Sequence, residues 1–178
     1  VVYGMEVSAP LIQSHGEGGH FVNTASMAGH ISPGGMEPYC ATKFAVVAMS
    51  EGWRDQLAPQ NIGVSVLCPG LVATNIYAGR RNRQNGVYGE AGKDFGQERL
   101  EEQRQWMAGG ISPEVVGRRV LEAVKDDDLY IFTHVEYETV VRERFDRVMA
   151  GFEKSKRSPT LNSLPKDRRL DVPPAAGR

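Results

Sequence analysis

The sequence predicts an α/β fold: the C-terminal part of a doubly wound parallel sheet, with about three strands and flanking helices. Three observations carry this expectation. Short β-prone apolar runs near 20–25, 62–68 and 129–135 alternate with longer segments of helical apolar spacing. Strands separated by helices pair in parallel through crossovers, which places helices on both faces of the sheet. The runs "VSVL" and "LYIF" show no polar alternation, as expected of central strands buried on both sides.

Taken in order, "VVYGMEVSAPLIQSH" has apolar residues at helical spacing and ends in the turn "GEGG". "HFVNTA" then reads as a strand from His20 to Ala25. "PYCATKFAVVAMSEGWRDQLAP" is predicted as a long helix, with Pro38 near its start and Pro59 near its end. "IGVSVLC" is the second strand, stopped by Pro69 and Gly70. Residues 76–110 hold seven glycines and many charges and are expected to form an irregular excursion. "SPEVVGRRVLEAVKDDD" opens with Ser112 as N-cap and Pro113 at the first helical position, so it predicts an amphipathic helix. "LYIFTHV" is the third strand and "EYETVVRERFDRVMAGF" the last helix.

The chain has 178 residues, 21 basic and 22 acidic, with 40% hydrophobic and 24% charged residues. These values suit one globular domain or a large part of one. No apolar run approaches the ~18 residues of a membrane helix, so no membrane role is expected. The near-neutral balance argues against a nucleic-acid partner. Two cysteines, Cys40 and Cys68, without CxxC spacing, suit a reduced, cytoplasmic compartment. The histidines at 15, 20, 30 and 134 show no metal-ligand spacing, so no metal site is expected and each is read as a surface or core residue. Charge divides the chain. Residues 153–178 carry seven basic and three acidic residues with four of the ten prolines, leaving 14 basic and 19 acidic to residues 1–152. Two parts follow: a folded domain over 1–152 and a flexible basic tail over 153–178. The chain opens at Val1 in mid-pattern, and a strand at His20 needs an edge partner, so the expectation is that a preceding half is absent.

The residues that suggest chemistry are Ser26, Tyr39 and Lys43. Tyr39 and Lys43 are four apart and share one helix face, one turn from each other. A phenol in water titrates near ~10, too high for an efficient base at neutral pH; a neighbouring ammonium favours the phenolate. Ser26 ends the first strand, and ligands of open α/β sheets bind at the C-terminal edge of the strands. A hydroxyl there can hydrogen-bond a carbonyl or alcohol oxygen.

In order along the chain, "GGHFVNTASMAG", "PYCATKFAVVAMSEGWRDQL" and "IGVSVLCPGLVATNI" resemble the short-chain dehydrogenase/reductase family over roughly residues 1–135, with the family's usual interval of 13 between Ser26 and Tyr39. The resemblance implies a Rossmann-like sheet and NAD or NADP as cofactor. It implies Tyr39 as general acid/base, with Lys43 assisting Tyr39 and holding the nicotinamide ribose. Ser26 would orient the reacting oxygen, and the segment with Pro69, Gly70, Val72 and Thr74 would border the nicotinamide. The implied reaction interconverts a small-molecule secondary alcohol and a ketone, in a homodimer or homotetramer built on the helices of residues 1–15 and 38–58. The family's glycine-rich turn after a first strand and its helix asparagine have no counterpart here; glycines 16, 18 and 19 precede a strand, and Asn23 lies within it. The alternative is a truncated, inactive remnant or binding module of that family. "DLYIFTHVEYETVVRERF" is loosely similar to Cα-dehydrogenases of lignin-derived aryl alcohols. In the excursion, Arg80, Arg81 and Arg83 suggest either a basic lid over an acidic or phenolate-bearing substrate or solvated charges balanced by Glu90, Asp94, Glu98, Glu101 and Glu102. Tyr88 and Trp106 suggest an aromatic pocket lining or a lid anchor.

Overall fold

The structure is a computed structural model that describes residues 1–82 and 96–165, the side chains of residues 80–82 excepted. Its first compact unit spans Val1–Glu136 and a second begins at Tyr137. The first unit runs α1 (Val2–His15), β1 (Gly19–Thr24), α2 (Glu37–Leu57), β2 (Ile62–Cys68), α3 (Gly96–Ala108), α4 (Pro113–Lys125) and β3 (Tyr130–Phe132). The three strands pair in parallel in the order β1-β2-β3, as the crossovers predict. The register sets Gly19 beside Ile62 and Thr24 beside Leu67, then Val66 beside Tyr130 and Cys68 beside Phe132.

Strand alternation sends the apolar side chains of β2 to two cores. Ile62 and Val64 pack with Met5 of α1 and Leu57 of α2, flanked by Ile12, Phe21 and Trp53. Leu67, of opposite parity, packs with Ile131, Val116 and Ala123, so α4 covers the other face. Burying each large aliphatic side chain of this kind contributes roughly 1.5–3 kcal/mol, and β2 as the middle strand gains it on both sides. α4 starts as its sequence signals predict: Ser112 caps it by accepting from Val115 N–H, with Pro113 in the first turn.

Two expectations change. Residues 76–110 are not irregular throughout: 3-10 turns cover Ile76–Asn82 and α3 covers Gly96–Ala108. Apart from Gly96 at its first position, α3 holds no glycine, and its interior "QERLEEQRQWM" is built largely of good helix formers. The boundary at 152/153 also moves. In the second unit α5 is one helix, Glu138–Lys156, followed by α6, Pro159–Asn162, capped by Ser158. Ion pairs Arg142–Glu138 and Lys156–Glu153 at helical spacing run past residue 152, and no proline interrupts the helix. Of the predicted tail, residues 166–178 lie outside the described residues.

Candidate functional site

β1 delivers Ser26 to the C-terminal edge of the sheet. Pairing with β2 continues beyond Thr24 through Ala25 N–H, which donates to Leu67 O at 2.8 Å. The chain then turns into a 3-10 segment, Met27–Gly29, with Ser26 as its N-cap. Ser26 Oγ accepts from Ala28 N–H at 3.1 Å and donates a long bond of 3.4 Å to Pro69 O. Met27 N–H donates to the same carbonyl at 2.9 Å, so the serine turn and the Pro69–Gly70 turn are tied together.

α2 carries the other two residues. Its first turn holds Pro38, and Glu37 receives a hydrogen bond from Gly35 N–H, which holds that carboxyl below the usual carboxylate range. Tyr39 is exposed in the same turn. One turn later Lys43 places Nζ 5.7 Å from the centre of the Tyr39 ring and donates to Thr24 O at 3.3 Å. That lysine joins the tyrosine turn to the end of β1, two residues before Ser26. Gly29 lets the 3-10 turn lie against α2: a Cβ there would meet Val47 Cγ2 at 2.7 Å and Lys43 O at 2.9 Å.

Polar contacts hold α2 in place along its length. Asn23 Nδ2 donates to Ser50 Oγ at 3.1 Å in the buried interior. Tyr130 O–H donates to Glu51 at 2.5 Å, and burial, reinforced by that carboxylate, pushes the Tyr130 phenol upward. Arg54 bonds Val64 O and both the carboxylate and carbonyl of Asp127. On the same side of the sheet His30, which follows the serine turn, sits 3.2 Å from Cys68 Sγ and edge-on to the rings of Tyr130 and Phe132. Burial pushes the Cys68 thiol up to about 12, so it is an inert packing group. Cys40 is likewise buried.

The segment after β2 is fixed from two directions. Gly70 N–H donates to His134 Nδ1 at 3.2 Å. Further on, Ala73 N–H donates to Ile111 O and Ile111 N–H to Leu71 O, forming a parallel bridge between Val72 and Ile111. The Val72 side chain packs on the Leu67–Ile131 core, and Thr74 is exposed. Thus Ser26 is brought to Pro69, and Lys43 to Tyr39 and Thr24. Of the histidines read from sequence as surface or core residues, His30 is buried with its ring against Cys68, Tyr130 and Phe132, and His134 accepts from Gly70 N–H. Trp106 is 66% exposed on α3, where Met107 is the buried residue. Glu98, Glu101 and Glu102 lie on the exposed side of α3, with Glu101 paired to Arg104. Arg83, Tyr88, Glu90 and Asp94, and the side chains of Arg80 and Arg81, lie outside the described residues. Among the described residues no cluster of metal-ligating side chains occurs, and no helix is long and apolar enough to cross a membrane.

A family model described as short chain dehydrogenase matches residues 1–85. A C alpha-dehydrogenase of Sphingobium sp. is 29% identical over 149 residues, covering 84% of this chain and 48% of that protein. A CLA biosynthesis dehydrogenase/reductase of Lactiplantibacillus plantarum is 30% identical over 155 residues, covering 83% of this chain and 54% of its own length. Among solved structures, a short chain dehydrogenase/reductase from Burkholderia phymatum in complex with NAD superposes with a TM-score of 0.73 at 32% identity, covering 89% of this chain and 56% of that one. The chain therefore spans about half the length of the curated relatives it matches.

Proposed function

The chain belongs to the short-chain dehydrogenase/reductase family, and on that premise we propose that it carries the catalytic side chains of an NAD(P)-dependent oxidoreductase interconverting a secondary alcohol and a ketone. The observation that carries this reading is Lys43: its ammonium lies by the Tyr39 ring and bonds Thr24 O beside Ser26. These two contacts support reading the Tyr39 phenol, the Lys43 ammonium and the Ser26 hydroxyl as one site at the C-terminal edge of the sheet, where open α/β folds bind ligands.

The residues present fit the nicotinamide end of a dinucleotide. Lys43 offers donors for ribose hydroxyls, Tyr39 is exposed, and Pro69 to Thr74 presents backbone at the edge of β2. The pyrophosphate end has no such fit among the described residues, because Gly16, Gly18 and Gly19 lead into a strand and form no strand–turn–helix cradle. The nicotinamide ring, when bound, supplies or accepts the hydride. Ser26 Oγ orients the substrate oxygen by hydrogen bonding. Tyr39 holds the proton at that oxygen during reduction and takes it during oxidation. The Lys43 ammonium stabilises the phenolate left when Tyr39 gives up its proton. The resemblance of "DLYIFTHVEYETVVRERF" to Cα-dehydrogenases of lignin-derived aryl alcohols makes aryl secondary alcohols the first substrate class to assay, and the relative bound to NAD supports that dinucleotide as the first cofactor.

Lys43 has two roles here, so Lys43→Met tests the reading. In the enzyme at its natural length, assayed on secondary aryl alcohols with NAD and NADP, the variant should lose ~10-fold or more in both kcat and dinucleotide affinity. Unchanged affinity would remove Lys43 from the ribose.

A further inference from the structure

We propose that His134 is a positioning residue that fixes the Pro69–Gly70 turn, and through it the nicotinamide end of the cofactor site; this rests on the functional reading above. Three observations converge on the ring. Gly70 N–H donates to His134 Nδ1 at 3.2 Å. Thr133 Oγ1 lies 2.7 Å from the same nitrogen. A Cβ at residue 70 would meet the His134 ring at 2.8–3.0 Å, so glycine is what lets ring and turn approach this closely.

The hydrogen-bond pattern assigns the tautomer. An amide N–H can only donate, so Nδ1 carries no proton and the Thr133 hydroxyl is the second donor to it. Thr133 therefore orients the ring, and the ring presents its lone pair to Gly70. The position of His134 follows from topology. β3 ends at Phe132 beside Cys68, so the residues after β3 emerge next to the residues after β2. The Pro69 carbonyl on the other side of the turn accepts from Met27 N–H and Ser26 Oγ. The turn is thus held by the serine segment on one flank and by His134 on the other. Loss of the Nδ1 acceptor would leave a half-buried amide unpaired and free the turn to shift relative to Ser26.

The test uses the natural-length enzyme and two variants. His134→Phe keeps a ring of similar size and removes the acceptor; His134→Asn restores an acceptor oxygen near the Nδ1 position. Binding is measured for NADH and for ADP-ribose, which lacks the nicotinamide. Exchange of the Gly70 amide hydrogen is followed in parallel. His134→Phe is expected to weaken NADH binding ~10-fold, leave ADP-ribose within about twofold and speed Gly70 exchange, with His134→Asn recovering most of the NADH affinity. Equal weakening of both ligands, or unchanged NADH affinity in His134→Phe, would overturn the proposal while leaving the dehydrogenase reading standing. A parent protein that binds neither NADH nor, in the same titration, NADPH would overturn both.

Discussion

His20 shows how one side chain can tie three segments and respond to pH. Its Nε2 lies 2.7 Å from Ser65 Oγ, and Ser65 itself donates to Asp128 O at 2.6 Å, so Nε2 is the donor to Ser65. The Asp127 carboxylate is 3.9 Å from Nδ1, too far to hydrogen-bond, and is engaged by Arg54 at 2.8 Å. Burial lowers His20 below the ordinary histidine range; Asp127 opposes this and Arg54 adds to it. A histidine held neutral in the fold but free to charge in the unfolded chain stabilises the fold above its unfolded value of ~6.5, and this is lost as pH falls through the lowered value. Tm should therefore fall more steeply from about pH 7 to pH 5 in the parent than in His20→Gln, whose amide keeps a donor for Ser65. Parallel curves would mean that His20 does not carry the acid response.

At the scale of elements, the close packing of the serine turn on α2 sets the site. Gly29 has ordinary backbone angles, so its role is space: any Cβ meets α2 backbone at Lys43 and the Val47 methyl. Gly29→Ala should destabilise the protein by ~1–3 kcal/mol and reduce turnover more than a surface substitution of equal stability cost, as checked by denaturant unfolding beside steady-state kinetics. Turnover unchanged at reduced stability would separate the turn from catalysis. Elements with strong local signals were legible in the sequence. Ser112-Pro113 marks the start of α4, Pro69-Gly70 the end of β2, and the four-residue interval from Tyr39 to Lys43 one helix face. α3 was not, because Leu100, Trp106 and Met107 are too few to make an apolar period among so many charges. Nor was the full extent of α5, since charge and proline content suggested a break that helical ion pairs do not respect. The roles of His30 and His134 were invisible for a different reason. Each meets its partner across at least 38 residues, through the strand register, which no local spacing encodes.

For the molecule as a whole, the parallel order β1-β2-β3 and its crossover helix bring four side chains and one backbone turn toward the C-terminal ends of the strands. Ser26 arrives from β1, Pro69 and Gly70 from β2, His134 from β3, and Tyr39 and Lys43 from the helix crossing between the first two strands. This arrangement makes Tyr39 the one group assigned to carry the proton, so its hydroxyl is where the account is most exposed. Turnover of secondary aryl alcohols by the natural-length enzyme and its Tyr39→Phe variant, followed by nicotinamide absorbance, is the most direct measurement. Tyr39→Phe is expected to lose ~10²–10⁴-fold in kcat with NADH affinity within a few-fold of the parent. A Tyr39→Phe enzyme turning over within a few-fold of the parent would contradict it.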